Sequence, residues 1–378
     1  MISELILEYF KCFESLSLPL RSLTLLSGTN SSGKSSVIQS LVLLHQTMRE
    51  QEWSQSLLLN GPTVRLGTVA DVVDQLHGRR TLRIGLTCDK ITYQWTFSGD
   101  RPDMSMVVDE IQVGDDSYDG SANLHCLMPS SIELPSGMAS IMTANYLTAE
   151  RMGPRDVYLL DDSEKASVVG SAGEHAVSML HWNSDKPVVE NLCLPEAPLT
   201  LLRQVEKWMG LFFPGCGLIL ERIPRVDAVT LGLRTSESLE FHRPTNVGFG
   251  LTQVLPILVA ALSSSPGDLI LIENPEVHLH PAGQSQMGTF LAQVAASGIQ
   301  VILESHSDHV LNGIRRAVRS GALNADDVQV HFFNDRYGSD PQVTSPDMGS
   351  DGSLDSWPRG FFDQFEKDTM LLAGWEIE

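Results

Sequence analysis

Eight residues, Gly28-Thr29-Asn30-Ser31-Ser32-Gly33-Lys34-Ser35, follow the spacing G-x-x-x-x-G-K-S. They lie between a short apolar run (Leu23, Leu25, Leu26) and a stretch whose apolar residues (Val37, Leu41, Leu44, Met48) recur at helical spacing. A strand, a glycine-rich turn and a helix in that order constrain the fold more than any other feature of the chain. Glycines and small residues let successive backbone N–H groups turn inward around phosphate oxygens, and the start of the following helix adds its partial positive charge. Asn30, Ser31, Ser32, Gly33, Lys34, Ser35 and Ser36 are therefore the candidate phosphate contacts. Lys34 reaches the β/γ oxygens as a point charge, and the Ser35 hydroxyl serves Mg²⁺.

The 378 residues are 42% hydrophobic and 19% charged, enough apolar material for one large core or two modest ones. A net charge of −21 argues against a surface built to neutralise a phosphate backbone, so nucleic acid is not indicated, although Arg315, Arg316 and Arg319 form a local basic strip. Cys12, Cys88, Cys126, Cys193 and Cys216 are scattered, odd in number and without C-x-x-C spacing. They read as reduced thiols of a cytoplasmic protein, with neither a disulfide framework nor a zinc site suggested. Glu4 and Glu8 spoil a signal pattern, and the longest apolar stretch, Leu251 to Leu262, is short and broken by Gln253 and Pro256, so no membrane role is expected.

Residues 3–26 read as two strands around Phe10-Lys11-Cys12-Phe13 that open the edge of a nucleotide-binding sheet. Short β-like segments between 62 and 113 suggest an antiparallel lobe, and 114–137, rich in Asp, Ser and Gly, reads as a loop. From 268 the pattern alternates again: strand Asp268–Ile272, helix Ala282–Ser297, strand Ile299–Leu303, as in a parallel sheet covered on both faces. The expectation is an α/β fold with a parallel-sheet core, an antiparallel β lobe and a mostly helical insertion. Residues 1–155 and 226–330 form the two halves of one head, 156–225 the insertion and 331–378 a short C-terminal segment. No repeat or sustained heptad pattern is present.

The strand Leu269–Ile272 ends in Glu273, where a fold places a Mg²⁺-organising acid opposite a phosphate loop. Beyond it, the H-x-H pair in Asn274-Pro275-Glu276-Val277-His278-Leu279-His280-Pro281 reads better as a loop leaving a nucleotide site than as metal ligands. After Leu303 comes Glu304-Ser305-His306-Ser307, where His306 can sense or polarise a γ-phosphate. Gly248, Gly250, Thr252 and Gln253 open an apolar helix and form a second anion-binding end. One chain needs a single such end per triphosphate, so the spare one points to a neighbour's nucleotide.

The order of these pieces resembles the ABC-type ATPase heads of the SMC, RecF and OLD (overcoming lysogenization defect) proteins. More closely, it resembles the small bacterial AAA family ATPases with a short C-terminal domain of unknown function. The strings Asn246 to Pro256 (NVGFGLTQVLP), Glu273 to Pro281 (ENPEVHLHP), Trp357 to Asp363 (WPRGFFD) and Ala149 to Arg155 (AERMGPR) carry the closer resemblance. It implies an ABC-type P-loop head using ATP and Mg²⁺, with Lys34 and Ser35 as Walker A contacts and Glu273 as the Walker B acid, joined to Ser35 through the metal. It further implies that Gly248 to Gln253 is the signature segment acting in trans, His278 to Pro281 the D-loop and His306 the switch histidine. No glutamine is assigned to the Q-loop. Most ABC heads follow the Walker B acid with a water-positioning glutamate. Here Asn274 stands there, which leaves Glu276 as the candidate base and implies slow hydrolysis.

The likeness to small defence-associated ATPases implies a head that forms an ATP-dependent homodimer or higher homo-oligomer and regulates an effector, nuclease or toxin, in a bacterial antiphage system. The alternatives are a DNA-repair or chromosome-maintenance head of the RecF/SMC type and an OLD-type nuclease subunit. Missing coiled-coil arms and the charge of −21 weigh against the first. Against the second, residues 331–378 are too few for a Toprim domain and carry Asp335, Asp340, Asp347 and Asp351 in a turn-rich stretch, so no nuclease activity is expected in this chain.

Overall fold

Alternation of buried apolar and outward-facing residues sets the first two strands, β1 (Ile2–Phe10) and β2 (Phe13–Pro19). β3 (Leu23–Gly28) is instead buried along nearly its whole length, as a strand covered on both faces must be, and it leads through the glycine-rich turn into α1 (Lys34–Glu50). The computed structural model describes residues 1–373 apart from 75–77, 122, 162–167, 237, 335–340 and 359. Asp335, Asp340 and Arg359 therefore lie outside the described residues.

After α1 come β4 (Ser56–Leu58), a one-turn helix α2 (Val69–Val72), β5 (Thr81–Cys88), β6 (Ile91–Ser98), β7 (Ser105–Val113) and β8 (Asp116–Asp119). A small hairpin of β9 (Leu124–His125) and β10 (Met128–Pro129) follows, then α3 (Ser136–Met142) and β11 (Asn145–Leu147). The middle of the chain supplies β12 (Tyr158–Leu159), α4 (Ala176–Trp182), α5 (Leu201–Phe212), β13 (Gly217–Arg222) and β14 (Ala228–Arg234). The remainder is α6 (Phe249–Ser263), β15 (Leu269–Glu273), α7 (Pro281–Ala296), β16 (Gln300–Glu304), α8 (Asp308–Arg319), β17 (Val328–Phe333), β18 (Val343–Thr344) and α9 (Gln364–Leu372).

The central sheet runs β11-β15-β16-β3-β17-β18 and is parallel except for β18. An antiparallel sheet, β2-β1-β5-β6-β7-β4 with β8 on β7, shares a core with α1, and β12-β14-β13 form a third sheet that packs with α4 and α5. Two sequence expectations change. β1 and β2 join the antiparallel lobe through the β1–β5 pairing instead of edging the nucleotide sheet, where β3 is an interior strand. Residues 114–137 contain β8, the β9–β10 hairpin and the start of α3, not an unbroken loop.

The central sheet separates two cores. Ile270, Ile272, Val301 and Leu303 face the side of helices α4 to α8, whereas Leu269, Leu271 and Ile302 face α1 and the antiparallel lobe. Both faces being covered explains the continuous apolar runs. Parallel register brings the C-terminal ends of β3, β15 and β16 to one edge, the crevice where α/β sheets hold ligands. Among the described residues no helix is long and apolar enough to cross a membrane.

Candidate nucleotide site

The turn between β3 and α1 depends on two glycines. Gly28 has φ +141, and a Cβ there would lie 2.2 Å from the Phe333 carbonyl oxygen; at Gly33, with φ +112, it would lie 2.6 Å from the Cys12 Sγ and the Phe13 ring. The Ser32 hydroxyl donates to the Thr29 carbonyl at 2.8 Å, closing the loop on itself. Lys34, 3% exposed, lays its ammonium on the Thr29 and Gly28 carbonyls at 2.6 and 3.2 Å. Burial lowers its pKa, with Glu304 pulling the other way. The loop residues 30–36 line a cleft of about 380 Å³ together with Cys12, Glu304 and His306. A turn kept free of side chains at Gly28 and Gly33, with a seated lysine, fits a polyphosphate.

Strand order decides which acid stands beside this loop. β16 lies between β15 and β3, so its last residue, Glu304, is in register with Leu26 on one side and Glu273 on the other. The Ser35 hydroxyl donates to Glu304 Oε2 at 2.8 Å, and Lys34 Nζ is 3.9 Å from Oε1. The sequence expectation joins Ser35 to Glu273 through a metal; the direct hydrogen-bond partner of Ser35 is instead Glu304, because β16 lies between β15 and β3. Glu273, one strand further out, accepts from the Tyr146 hydroxyl at 2.9 Å and the Thr148 hydroxyl at 3.3 Å. Burial, then Glu273, pushes the Tyr146 pKa up and keeps it a donor. Burial also raises the Glu304 pKa, opposed by Ser35 and Lys34. Ser35, Glu304 and Glu273 offer hard oxygen atoms of the kind that could hold Mg²⁺.

Asn274 donates its N–H to the Glu304 carbonyl at 2.8 Å and turns the chain with φ +44, a setting asparagine tolerates better than glutamate. The chain returns so that Glu276 Oε1 accepts the His306 N–H at 2.8 Å and lies 3.5 Å from Asn274 Nδ2; Glu276 Oε2 is buried without a hydrogen-bond partner. His306 Nε2 lies 3.8 Å from Glu304 Oε1, and its pKa is lowered by burial and then by Lys34, against Glu276, so the ring is neutral near pH 7. Glu273, Asn274, Glu276 and His306 thus meet at the ends of β15 and β16.

Sequence reading missed two members of this site. Glu304 was visible as the acid that opens E-S-H-S at a strand end, and Arg151 sits inside the string AERMGPR. Arg151, 6% exposed, donates from Nη1 to the carbonyls of Thr148 (3.1 Å) and Glu273 (2.9 Å), and from Nη2 to that of Asn274 (2.7 Å). Burial pulls its pKa down to about 10 against the attraction of Glu276 and Glu273. Gln253 Nε2 in turn donates to the Met152 carbonyl at 3.2 Å and lies 3.4 Å from that of Arg151.

That arrangement turns part of the signature segment inward. Gln253 is 2% exposed and Thr252, 6% exposed, donates to the Phe249 carbonyl, so both side chains are occupied within their own chain. The helical turn carries positions 252 and 253 to the buried face of α6, while Gly248 stays exposed at its open end. There the Phe249 ring lies 4.7 Å from that of His278. His280 Nδ1 accepts from Ala282 N–H at 3.4 Å at the start of α7, so the H-x-H pair belongs to the loop. Arg315 is also committed locally, donating to the Gly352 carbonyl at 2.7 Å and lying over the Trp357 ring, which shortens the basic strip.

Three family models match in succession along the chain: an AAA ATPase domain over residues 1–111, an "AAA domain" carrying the further label "Type IV TA system" over 160–312, and a protein of unknown function, DUF3696, over 323–372. The chain is an ABC-type AAA ATPase with a C-terminal DUF3696 domain. Two solved structures agree with this ABC-type ATPase in fold. An SMC head bound to the C-winged helix domain of ScpA aligns at TM-score 0.51 and 14% identity, covering 92% of this chain and 97% of its own. An Smc head with an extended coiled coil bound to the C-terminal domain of ScpA, from Pyrococcus furiosus, aligns at 0.51 and 10%, covering 99% and 98%. The SMC head from Thermotoga maritima aligns at 0.45 and 11%, covering 92% and 99%. No curated protein matches.

Proposed function

We propose that this ATPase binds ATP with Mg²⁺ at the β3–α1 loop, hydrolyses it slowly, dimerises in its ATP state and regulates an effector protein in a bacterial antiphage system. The observation that carries this reading is the convergence of Lys34, Ser35 and Glu304 on a glycine-shaped loop, with Glu276 and His306 at its rim. Mg²⁺, when bound, supplies charge for the β- and γ-oxygens. Lys34 exchanges the Thr29 carbonyl for phosphate oxygens. The free Glu276 oxygen takes a proton from the attacking water, which Asn274 can orient but not deprotonate. His306, neutral, donates toward the transferred group. Gly248 and Gly250 offer backbone N–H groups at the open end of α6 to the γ-phosphate of a second head.

The toxin–antitoxin label on residues 160–312 supports an effector in trans, and a similar head bound to a ScpA domain supports docking of a small partner domain. Lys34→Ala tests the site. Nucleotide affinity should collapse in a protein that still folds, with a melting temperature lowered only by the loss of the two carbonyl bonds, and wild-type affinity would sink the assignment. The likeness to SMC heads favours one second reading, a DNA-maintenance head. Tight ATP-dependent binding of duplex DNA by the purified chain would select it. Nucleic-acid cleavage with Mg²⁺ or Mn²⁺ is not expected.

A further inference from the structure

Away from the nucleotide site, the described residues bring together one group of unlike ligands: Glu52, His125 and Cys126. Glu52 follows α1, whereas His125 ends β9 and Cys126 opens the hairpin turn, 73 positions away for the histidine. Backbone pins the segments together. The Cys126 N–H donates to the Glu52 carbonyl at 2.6 Å, and Trp95 Nε1 holds the Leu127 carbonyl at 2.7 Å. His125 Nε2 lies 2.6 Å from Glu52 Oε1 and 3.9 Å from Cys126 Sγ, and one ligand atom from each residue falls within 4.8 Å of the others. The Trp53 ring, 4.7 Å from the imidazole, restricts its swing.

The turn that presents the thiol is made of the wrong residues for an ordinary hairpin. Cys126 and Leu127 have φ +51 and +58, the two-residue geometry for which asparagine and glycine are the inexpensive choices. Strain by itself assigns nothing. Here it delivers a buried sulfur to a ring nitrogen that already faces a carboxylate, three donors of the types zinc takes.

We propose that Glu52, His125 and Cys126 form a zinc site, the ion held by Cys126 Sγ, His125 Nε2 and one Glu52 oxygen, with water completing the tetrahedron. Bonds of about 2.0 Å to nitrogen and oxygen and about 2.3 Å to sulfur set ligand atoms roughly 3.3–3.6 Å apart. The 2.6 and 3.9 Å separations reach those values with movements under about 1 Å. Glu52, whose side chain is 55% exposed, is free to make them and leaves a path for the ion. Thiolate and imidazole prefer zinc to magnesium, so the site is chemically separate from the one at Ser35 and Glu304. Binding removes the Cys126 proton, which burial otherwise retains, so affinity should rise with pH.

The test uses the full chain, stripped with a chelator and titrated with Zn²⁺ or Co²⁺. One equivalent should bind, and the cobalt form should show thiolate-to-cobalt charge transfer in the near ultraviolet with visible bands of a tetrahedral ion. Cys126→Ser should abolish the charge-transfer band. His125→Ala and the surface change Glu52→Gln should each weaken binding by at least about tenfold. Cys193→Ser, at a thiol elsewhere, should change nothing. Absence of the thiolate band in wild type, or binding that all three ligand variants retain, overturns the site and leaves a plain Glu52–His125 pair beside a buried thiol.

Discussion

Replacing Arg151 by methionine separates holding the fold from setting the catalytic turn. Three bonds from a charged donor, at 3.1, 2.9 and 2.7 Å, end on the Thr148, Glu273 and Asn274 carbonyls. Each is worth about 1.5–3 kcal/mol. Against them stands burial, which lowers the guanidinium pKa to about 10. At pH 7, below both its folded and unfolded values, that is a constant cost of roughly 3 kcal/mol. The methionine variant should therefore lose about 2–6 kcal/mol of stability. Arg151→Lys should lose less, because one ammonium keeps the charge but not the fork. The turn suffers in both. Without its anchor the Asn274–Glu276 segment shifts relative to the phosphate loop, and a displacement of about 1 Å costs on the order of 10²-fold in rate. Single-turnover hydrolysis, alongside thermal melts and nucleotide titration, should show ATP affinity little changed and the rate down by about that factor. An unchanged rate in folded Arg151→Lys, or a loss that only tracks the unfolded fraction, would refute the positioning role.

Other predictions follow from the same geometry. Glu276→Gln should cut hydrolysis by about 10²–10⁴-fold and accumulate the ATP-bound dimer; an unchanged single-turnover rate removes Glu276 from the mechanism. Gly248→Asp should abolish ATP-dependent dimerisation seen by light scattering, since the carboxylate would face a neighbour's γ-phosphate. Position 248 suits this test because the nearest atom to a Cβ is Leu251 Cδ1 at 3.6 Å, whereas at Gly250 a Cβ would press on the His278 carbonyl at 2.9 Å. Equal mass with and without the change rejects the trans role. His331 is buried between the Pro19 carbonyl and the Ser345 hydroxyl, and burial drops its pKa from 6.5 to about 4. The neutral ring is what the fold holds. Stability is therefore fullest above pH 6.5 and should fall by roughly 3 kcal/mol as pH drops to about 4, a slope that His331→Gln should flatten in a melting series.

Much of the site was legible because its signals are local. The spacing from Gly28 to Ser35 and the apolar strands before Glu273 and Glu304 mark the loop and sheet edge without reference to anything distant. The identity of the acid beside Ser35 was not legible, since it depends on strand order, and no property of Glu273 or Glu304 alone states that β16 lies between β15 and β3. The inward setting of Thr252 and Gln253 was hidden for a related reason. Their spacing after Gly248 matches a ligand-binding helix start, but which helix face is buried is settled by the distant Arg151–Met152 backbone. Glu52 and Cys126 are likewise joined only by chain folding, so cysteine spacing gave no sign of them.

The phosphate loop is not suspended from β3 alone. Its Thr29 N–H donates to the Phe333 carbonyl at 3.2 Å, the same group that forbids a side chain at Gly28. The preceding Phe332 packs edge-on against Phe361, 1% exposed and flanked by Trp357. The terminal domain and the nucleotide cradle therefore grip opposite sides of one strand end, like two hands on a short bar. A ligand that shifted that peptide would have to shift the Phe332–Phe361 packing with it. The Thr29–Phe333 hydrogen bond and the Phe332–Phe361 contact thus tie the phosphate loop to the C-terminal segment through two adjacent residues of β17.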